Sequence, residues 1–202
     1  SDLTGIEDFS ALNTINCTSN QLTSLDISYN TFINYLNCNS NQISYLDVSN
    51  NTQLVILACG GNNLSSIDIS NNNLLTSLDC WSNSISVLNI DNNPLLDALN
   101  CNDNSISNLS FLNNPNMINI SCANNNISNI DLSHLSTLNT LWLNDNNLTN
   151  LNLNQNTSLT TLQCATNNLT NLDLRNGNNI NFLNFNVTNN PNLNCISVDD
   201  AA

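Results

Sequence analysis

The chain has no lysine, one arginine (Arg175) and one histidine (His134), against fourteen aspartates and one glutamate in 202 residues, for a net charge of −14. Phosphate backbones and anionic bilayers are gripped by basic side chains, so no nucleic-acid partner and no direct membrane insertion are expected. Long hydrophobic runs are also missing: no stretch of about twenty apolar residues is available to span a bilayer. With one His and no Lys, a nucleophile, base and orienting group cannot be assembled, and paired carboxylates such as Asp79 and Asp103 lack an enclosing pocket. The protein is therefore expected not to be an enzyme. Nor does any segment keep a 3.6-residue apolar period, and the abundant Asn and Ser are poor helix formers, so little or no helix is expected.

What is present is a repeat. Leu54 to Leu74, LVILACGGNNLSSIDISNNNL, is one unit of a 21-residue pattern that recurs from Leu12 to the C-terminus. One apolar column runs Leu12, Ile33, Leu54, Leu75, Leu96, Met117, Leu138, Leu159, Ile180; the next runs Ile15, Leu36, Leu57, Leu78, Leu99, Ile120, Leu141, Leu162, Leu183. A fixed period in the twenties marks a solenoid, whose units bury their apolar side only by stacking. Ile15 and Cys17 alternate with Thr14, Asn16 and Thr18, the period-two pattern of a strand. Leu22, Leu25 and Ile27 repeat that grammar, so each coil is expected to carry two extended segments flanking a flat core. The result is a mainly β solenoid of about nine coils with parallel sheets, a rod about 40 Å long at ~4.8 Å per coil. The unbroken register argues for one domain: a partial N-terminal coil over 1–11, eight coils over 12–179, and a divergent coil or cap over 180–202.

Three polar or thiol columns accompany the apolar ones. Cys17, Cys38, Cys59, Cys80, Cys101, Cys122 and Cys164 share one inward column, where Leu143 and Phe185 substitute, so they are expected to be free buried thiols. Side chains at one depth on adjacent parallel strands reach the disulfide dihedral with difficulty, and a ladder does not converge on zinc. Cys195 falls instead in the column of Ile27, Val48, Ile69 and Leu174, as packing or as a partner for a cysteine outside this chain. Asn20, Asn41, Asn62, Asn83, Asn104, Asn125, Asn146 and Asn167 form one amide column, and Asn30, Asn51, Asn72, Asn93, Asn114 and Asn156 another. Stacked amides satisfy turn backbone groups that no strand ladder reaches. A hydroxyl column, Thr23, Ser44, Ser65, Ser86, Ser107, Ser128, Thr149 and Thr170, fits side-chain bonding to the backbone of a turn.

Over nearly its whole length the unit resembles the cysteine-ladder, internalin J-like leucine-rich repeats of listerial internalins. LNCNSNQISYLDVSNNTQL (Leu36 to Leu54) is still more similar to Asn-rich secreted or surface proteins of flavobacteria and other Bacteroidota. Leu3 to Cys17 and Asn176 to Asp200 look like the ends of such arrays. The resemblance implies a right-handed leucine-rich repeat solenoid, export to the cell exterior or a bacterial cell surface, and binding or adhesion to a protein or glycan on a cell or matrix surface. It also implies further domains flanking the array in a longer secreted chain.

Departures from the repeat mark candidate contacts. Tyr35, Ile56, Trp81, Trp142 and Phe182 put large apolar groups on outward columns of the first strand, with Asn37, Asp79, Asn100, Asn102 and Asp145 beside them. Trp81 has Ala58 and Gly60 one coil back, which leaves a shallow slot beside a standing indole, suited to a sugar ring or a peptide. Asp26, Asp47 and Asp68 form an acidic ladder, read as a hydrated or turn-bonded face with calcium as its alternative; no other cofactor is expected. His134 reads as a surface substitution, and Leu112 stands in a normally hydrophilic column. Two further functions compete with recognition: a structural spacer or self-assembling element, because solenoid ends are open sheet edges, and ice- or mineral-surface binding by the regular Ser, Thr and Asn columns.

Overall fold

A computed structural model of the chain describes residues 2–199; Ser1, Asp200, Ala201 and Ala202, at the outer ends of the two expected caps, lie outside the described residues. The described chain carries strands of three residues each: β1 Thr14–Asn16, β2 Tyr35–Asn37, β3 Ile56–Ala58, β4 Ser77–Asp79, β5 Ala98–Asn100, β6 Asn119–Ser121, β7 Thr140–Trp142, β8 Asn150–Asn152, β9 Thr161–Gln163, β10 Asn171–Asp173, β11 Asn184–Asn186 and β12 Cys195–Ser197. Among the described residues, helix is limited to two single 3-10 turns, Ile6–Asp8 and Asn179–Asn181.

Nine strands form one parallel sheet in the order β1-β2-β3-β4-β5-β6-β7-β9-β11. Each strand is short because one residue, such as Leu36 or Leu57, points inward between two outward neighbours before the buried cysteine begins the turn. The second side is less regular than the alternation suggests, since only β8, β10 and β12 form a sheet there. Those strands start where the hydroxyl column changes from Ser to consecutive Thr149 and Thr170, and Thr170 N–H donates to the Thr149 carbonyl. β-branched Thr favours the extended backbone more than Ser does. Earlier coils keep a single backbone bond at this level, as from Gln42 to Leu22.

The register also slips once. Thr161 of β9 pairs with Asn184 of β11, and Asn171 of β10 pairs with Cys195 of β12, so the last coil is two to three residues longer than its relatives. Gly177, at φ 75°, and the Asn179–Asn181 turn loop the extra residues out, and Asn178 Nδ2 donates to the Leu159 carbonyl at 2.8 Å. Three expectations are corrected by this. Ile180 and Leu183 are not core; they are 94% and 85% exposed. Phe185 aligns with Leu162 rather than with the cysteines, and Phe182, expected outward, packs on the core. Cys195 pairs with Asn171 and is exposed instead of joining the Ile27 column.

The core is one continuous column of Leu, Ile and Val with Phe111, Met117 and the seven ladder thiols, all of the thiols free. Burial, assisted by the neighbouring thiols, pushes Cys59 and Cys80 far above the usual thiol range, and Cys38 up to about 12. Cys101 donates to Cys122 Sγ at 3.2 Å.

Both amide columns bind coil to coil. Asn62 Nδ2 donates to the carbonyls of Cys38 and Cys59 at 3.0 and 3.1 Å, while its Oδ1 accepts from Ile43 N–H at 3.0 Å. Asn51 Nδ2 donates to Ile27 and Asn30 carbonyls at 3.1 and 3.0 Å, with its side chain fully buried. The residue before the first ladder sits in the left-handed region in each coil, as at Ser40 (φ 57°), Gly61 (φ 61°) and Asp103 (φ 55°). At the N-terminus, Leu3, Ile6 and Leu12 pack on the core, and Asn30 Nδ2 holds the Ile6 and Phe9 carbonyls at 2.9 and 3.1 Å.

Candidate functional site

The outward side of the nine-stranded sheet is built from two in-register rows. One runs Tyr35, Ile56, Ser77, Ala98; the other runs Asn37, Ala58, Asp79, Asn100 and continues through Ser121 to Trp142 and Gln163. Tyr35 and Ile56, half-buried neighbours on adjacent strands, form a partly apolar pair at one end with Ala58 buried beside them, and Trp142, 42% exposed, stands alone farther along. Trp142 shares the row of Asp79 three coils on, about 14 Å away.

Most of the amides here are engaged in holding the turns. Asn37 Oδ1 accepts from Asn39 N–H at 3.1 Å, and its Nδ2 reaches the Tyr35 hydroxyl at 3.5 Å. Asn100 Oδ1 accepts from Asn102 N–H at 3.3 Å, and Asn102 Oδ1 accepts from Ala123 N–H at 2.6 Å. Asp145, at φ 54°, is an exposed turn residue in the left-handed position before ladder Asn146.

Trp81 departs from the standing indole expected of it. A Cβ placed on Gly60 would lie 2.8 Å from Trp81 Cε2 and closer still to Cδ1 and Nε1, and one on Gly61 would lie 3.3 Å from Cη2. The indole therefore lies flat on the two glycines and fills the slot that small residues leave. The cause was visible in the sequence as Gly60 and Gly61, the only adjacent glycines in the chain, but their meaning is packing rather than vacancy.

Beside that ring, Asn39 bridges three coils: its Oδ1 accepts from Gly60 N–H at 2.6 Å and its Nδ2 donates to Asp79 Oδ2 at 3.2 Å. Asp79 Oδ1 is buried without a hydrogen-bond partner. Burial raises its carboxyl above the usual range, against the opposing pull of the Asn39 amide. Asn39 was absent from the sequence-derived set because it reads as one more turn amide.

The acidic ladder has a local explanation. Asp26, Asp47 and Asp68 each accept from the N–H two residues on, at Ser28, Ser49 and Ser70, at 2.9–3.0 Å. Bonds from those serines hold the three carboxyls below their ordinary range. Among the described residues no group of three or more His, Cys, Asp or Glu is placed to hold a metal ion, and no helix is long and apolar enough to cross a membrane.

No protein-family model matches the chain, and no curated relative matches it. Among solved structures it is similar to the functional domain of InlJ from Listeria monocytogenes, which includes a cysteine ladder, at 31% identity and a TM-score of 0.80 over 93% of this chain and 46% of that one. A leucine-rich repeat protein of Leptospira interrogans matches at 26% identity and a TM-score of 0.76, over 80% and 45%. An internalin, InlF, from Listeria monocytogenes matches at 27% and 0.70, over 100% and 58%. The chain spans about half the length of these structures. The 21-residue coil, the column of seven buried thiols and the likeness to InlJ identify the chain as a leucine-rich repeat protein with a cysteine ladder.

Proposed function

We propose that the protein is a non-catalytic binding module, extracellular or on a bacterial cell surface, that recognises a protein partner through the outward face of its nine-stranded sheet. The observation that carries this reading is the half-buried pair Tyr35 and Ile56 on adjacent strands with the exposed indole of Trp142 on the same sheet. A flat, rigid, partly apolar surface suits a protein surface more than a small molecule, which favours a concave site. Two amide ladders fix the sheet before any partner arrives, which lowers the ordering cost of association. Likeness to internalins supports the same class of role.

Ice- or mineral-surface binding has less support, because exposed Tyr45 and Val87 interrupt the row beside the hydroxyl column. The proposal is tested by probing arrays of purified extracellular proteins and of glycans with the wild-type chain and a Tyr35→Ser Trp142→Ser variant. Protein ligands bound by the wild type and lost in the variant are expected. Glycans as the only ligands, or no ligand at all, would overturn it.

A further inference from the structure

The second side of the solenoid carries a groove that the sheet-face reading leaves unused. A cavity of about 660 Å³ lies between the N-terminal cap, through Asp2 and Glu7, and the first two coils, with Tyr29 and Tyr45 in its wall. Tyr45 and Asp47 also wall the next cavity, of about 260 Å³, and Asp68 is shared between that one and a third of about 240 Å³ bounded by Val87. The three therefore run together along four coils, about 14 Å at the coil spacing. Tyr29, Tyr45 and Val87 are 71–73% exposed.

Two observations say what this groove accepts. First, its negative charge exceeds what the turn needs. The same turn bond is made by neutral Asn89 to Asp91 N–H at 2.9 Å and by Asn152 to Asn154 N–H at 3.1 Å. Carboxylates at Asp26, Asp47 and Asp68 are thus dispensable for the fold, and they repel one another at successive coils, Asp47 feeling both neighbours. Second, among the described residues no lysine or arginine lines the groove. The chain has no lysine, and its one arginine, Arg175, is paired with Asp173 at 2.7 Å in the tenth strand. Tyrosine faces beside carboxylates form a cation-accepting wall, since the ring quadrupole and the carboxylate both attract a guanidinium or ammonium.

We propose that this groove binds an extended basic peptide segment of a partner protein, with its Arg or Lys side chains set between the Asp26, Asp47 and Asp68 carboxylates and the rings of Tyr29 and Tyr45. The charge on the groove and the linear run of its cavities fit an extended cationic chain better than a compact cation.

Fluorescence anisotropy with a labelled hexa-arginine peptide tests the proposal. The groove variant Asp26→Asn Asp47→Asn Asp68→Asn keeps the turn bond, as Asn89 does, and is compared with Asp97→Asn Asp103→Asn Asp145→Asn, which carries the same net charge but is altered elsewhere. The groove variant is expected to bind about tenfold more weakly and the control within about twofold of wild type. In Tyr45→Ser, with all charges intact, a further loss of about threefold is expected. Equal losses in both charge variants would show diffuse attraction to an acidic protein and overturn the site. Failure of the wild type to bind at low salt, or displacement of the peptide by an equal charge concentration of spermine, would overturn the peptide assignment.

Discussion

The Nε2 of His134 lies 2.9 Å from the carbonyl oxygen of Phe111. In the neighbouring coils the equivalent carbonyl receives a ladder amide: Ile69 from Asn93, Ile90 from Asn114, Leu132 from Asn156. In the sixth coil the ladder position is Leu135, fully buried, and the imidazole one residue earlier supplies the missing donor. Because a carbonyl only accepts, Nε2 carries the hydrogen. The chain's one histidine is thus a structural replacement within the second amide column.

His134→Ala leaves the Phe111 carbonyl without this donor and is expected to cost about 1–3 kcal/mol. Adding Leu135→Asn restores a ladder amide and should recover part of that loss. Urea unfolding of the single and double variants measures both, and an unchanged midpoint in His134→Ala would show that the contact contributes nothing.

Asn62→Ala removes two strong donors and one acceptor between buried turns, so a loss of about 3 kcal/mol is expected. Asn71, which is exposed and makes one 3.4 Å bond, should tolerate the same change within about 0.5 kcal/mol. Comparable losses at both positions would mean that the inner amide ladder has no special part in joining the coils.

Gly60→Ala puts a methyl group where the Trp81 ring lies. The ring must lift, so the variant should be less stable by about 1–3 kcal/mol and show red-shifted tryptophan emission. In a Trp81→Ala background the same substitution should be nearly neutral, because the space is already open. Equal cost in both backgrounds would place the strain in the backbone instead of the indole.

Thiol reactivity and pH give a further check. Of the eight cysteines Cys195 is exposed, so a thiol reagent should modify one group in the native protein and eight in denaturant. Cys17, Cys38, Cys59, Cys80, Cys101 and Cys164 have raised folded pKa values, so they are protonated in the folded state while unfolded thiols ionise. Stability from this source is complete below about pH 9 and falls as pH rises toward 12. At the acid end, Asp26, Asp47 and Asp68 are lowered by their turn bonds; their contribution is present above the ordinary carboxylate pKa and is lost as pH falls through the folded values. A stability profile that rises above pH 9 would contradict the buried-thiol account.

Period and column membership made the solenoid legible in the sequence, because stacking forces each inward position to repeat: Leu36, Leu57 and Leu78 pair in the expected register. The slip in the last coil was hidden because Ile180 and Leu183 also satisfy an apolar pattern at 21 residues. The pairings of Phe185 with Leu162 and of Cys195 with Asn171 reveal that the chain has looped out two to three residues. Tyr35, Ile56 and Trp142 were found as outward exceptions to a polar row, whereas the posture of Trp81 depends on how a ring settles on Gly60 one coil away. That is a matter of side-chain packing between coils, which column reading does not contain. His134 was equally opaque, since its role depends on a carbonyl 23 positions earlier in the chain.

The most direct test of the sheet-face account is the dissociation constant of the tightest protein ligand for three proteins: wild type, Tyr35→Ser Trp142→Ser on the sheet, and Leu112→Ser on the second side, exposed and outside the Tyr29–Val87 groove. The account predicts at least about tenfold weaker binding in the sheet variant, roughly 1.4 kcal/mol, and binding within about twofold of wild type in the second-side variant. Unchanged affinity in the sheet variant, or a larger loss on the second side, would contradict it.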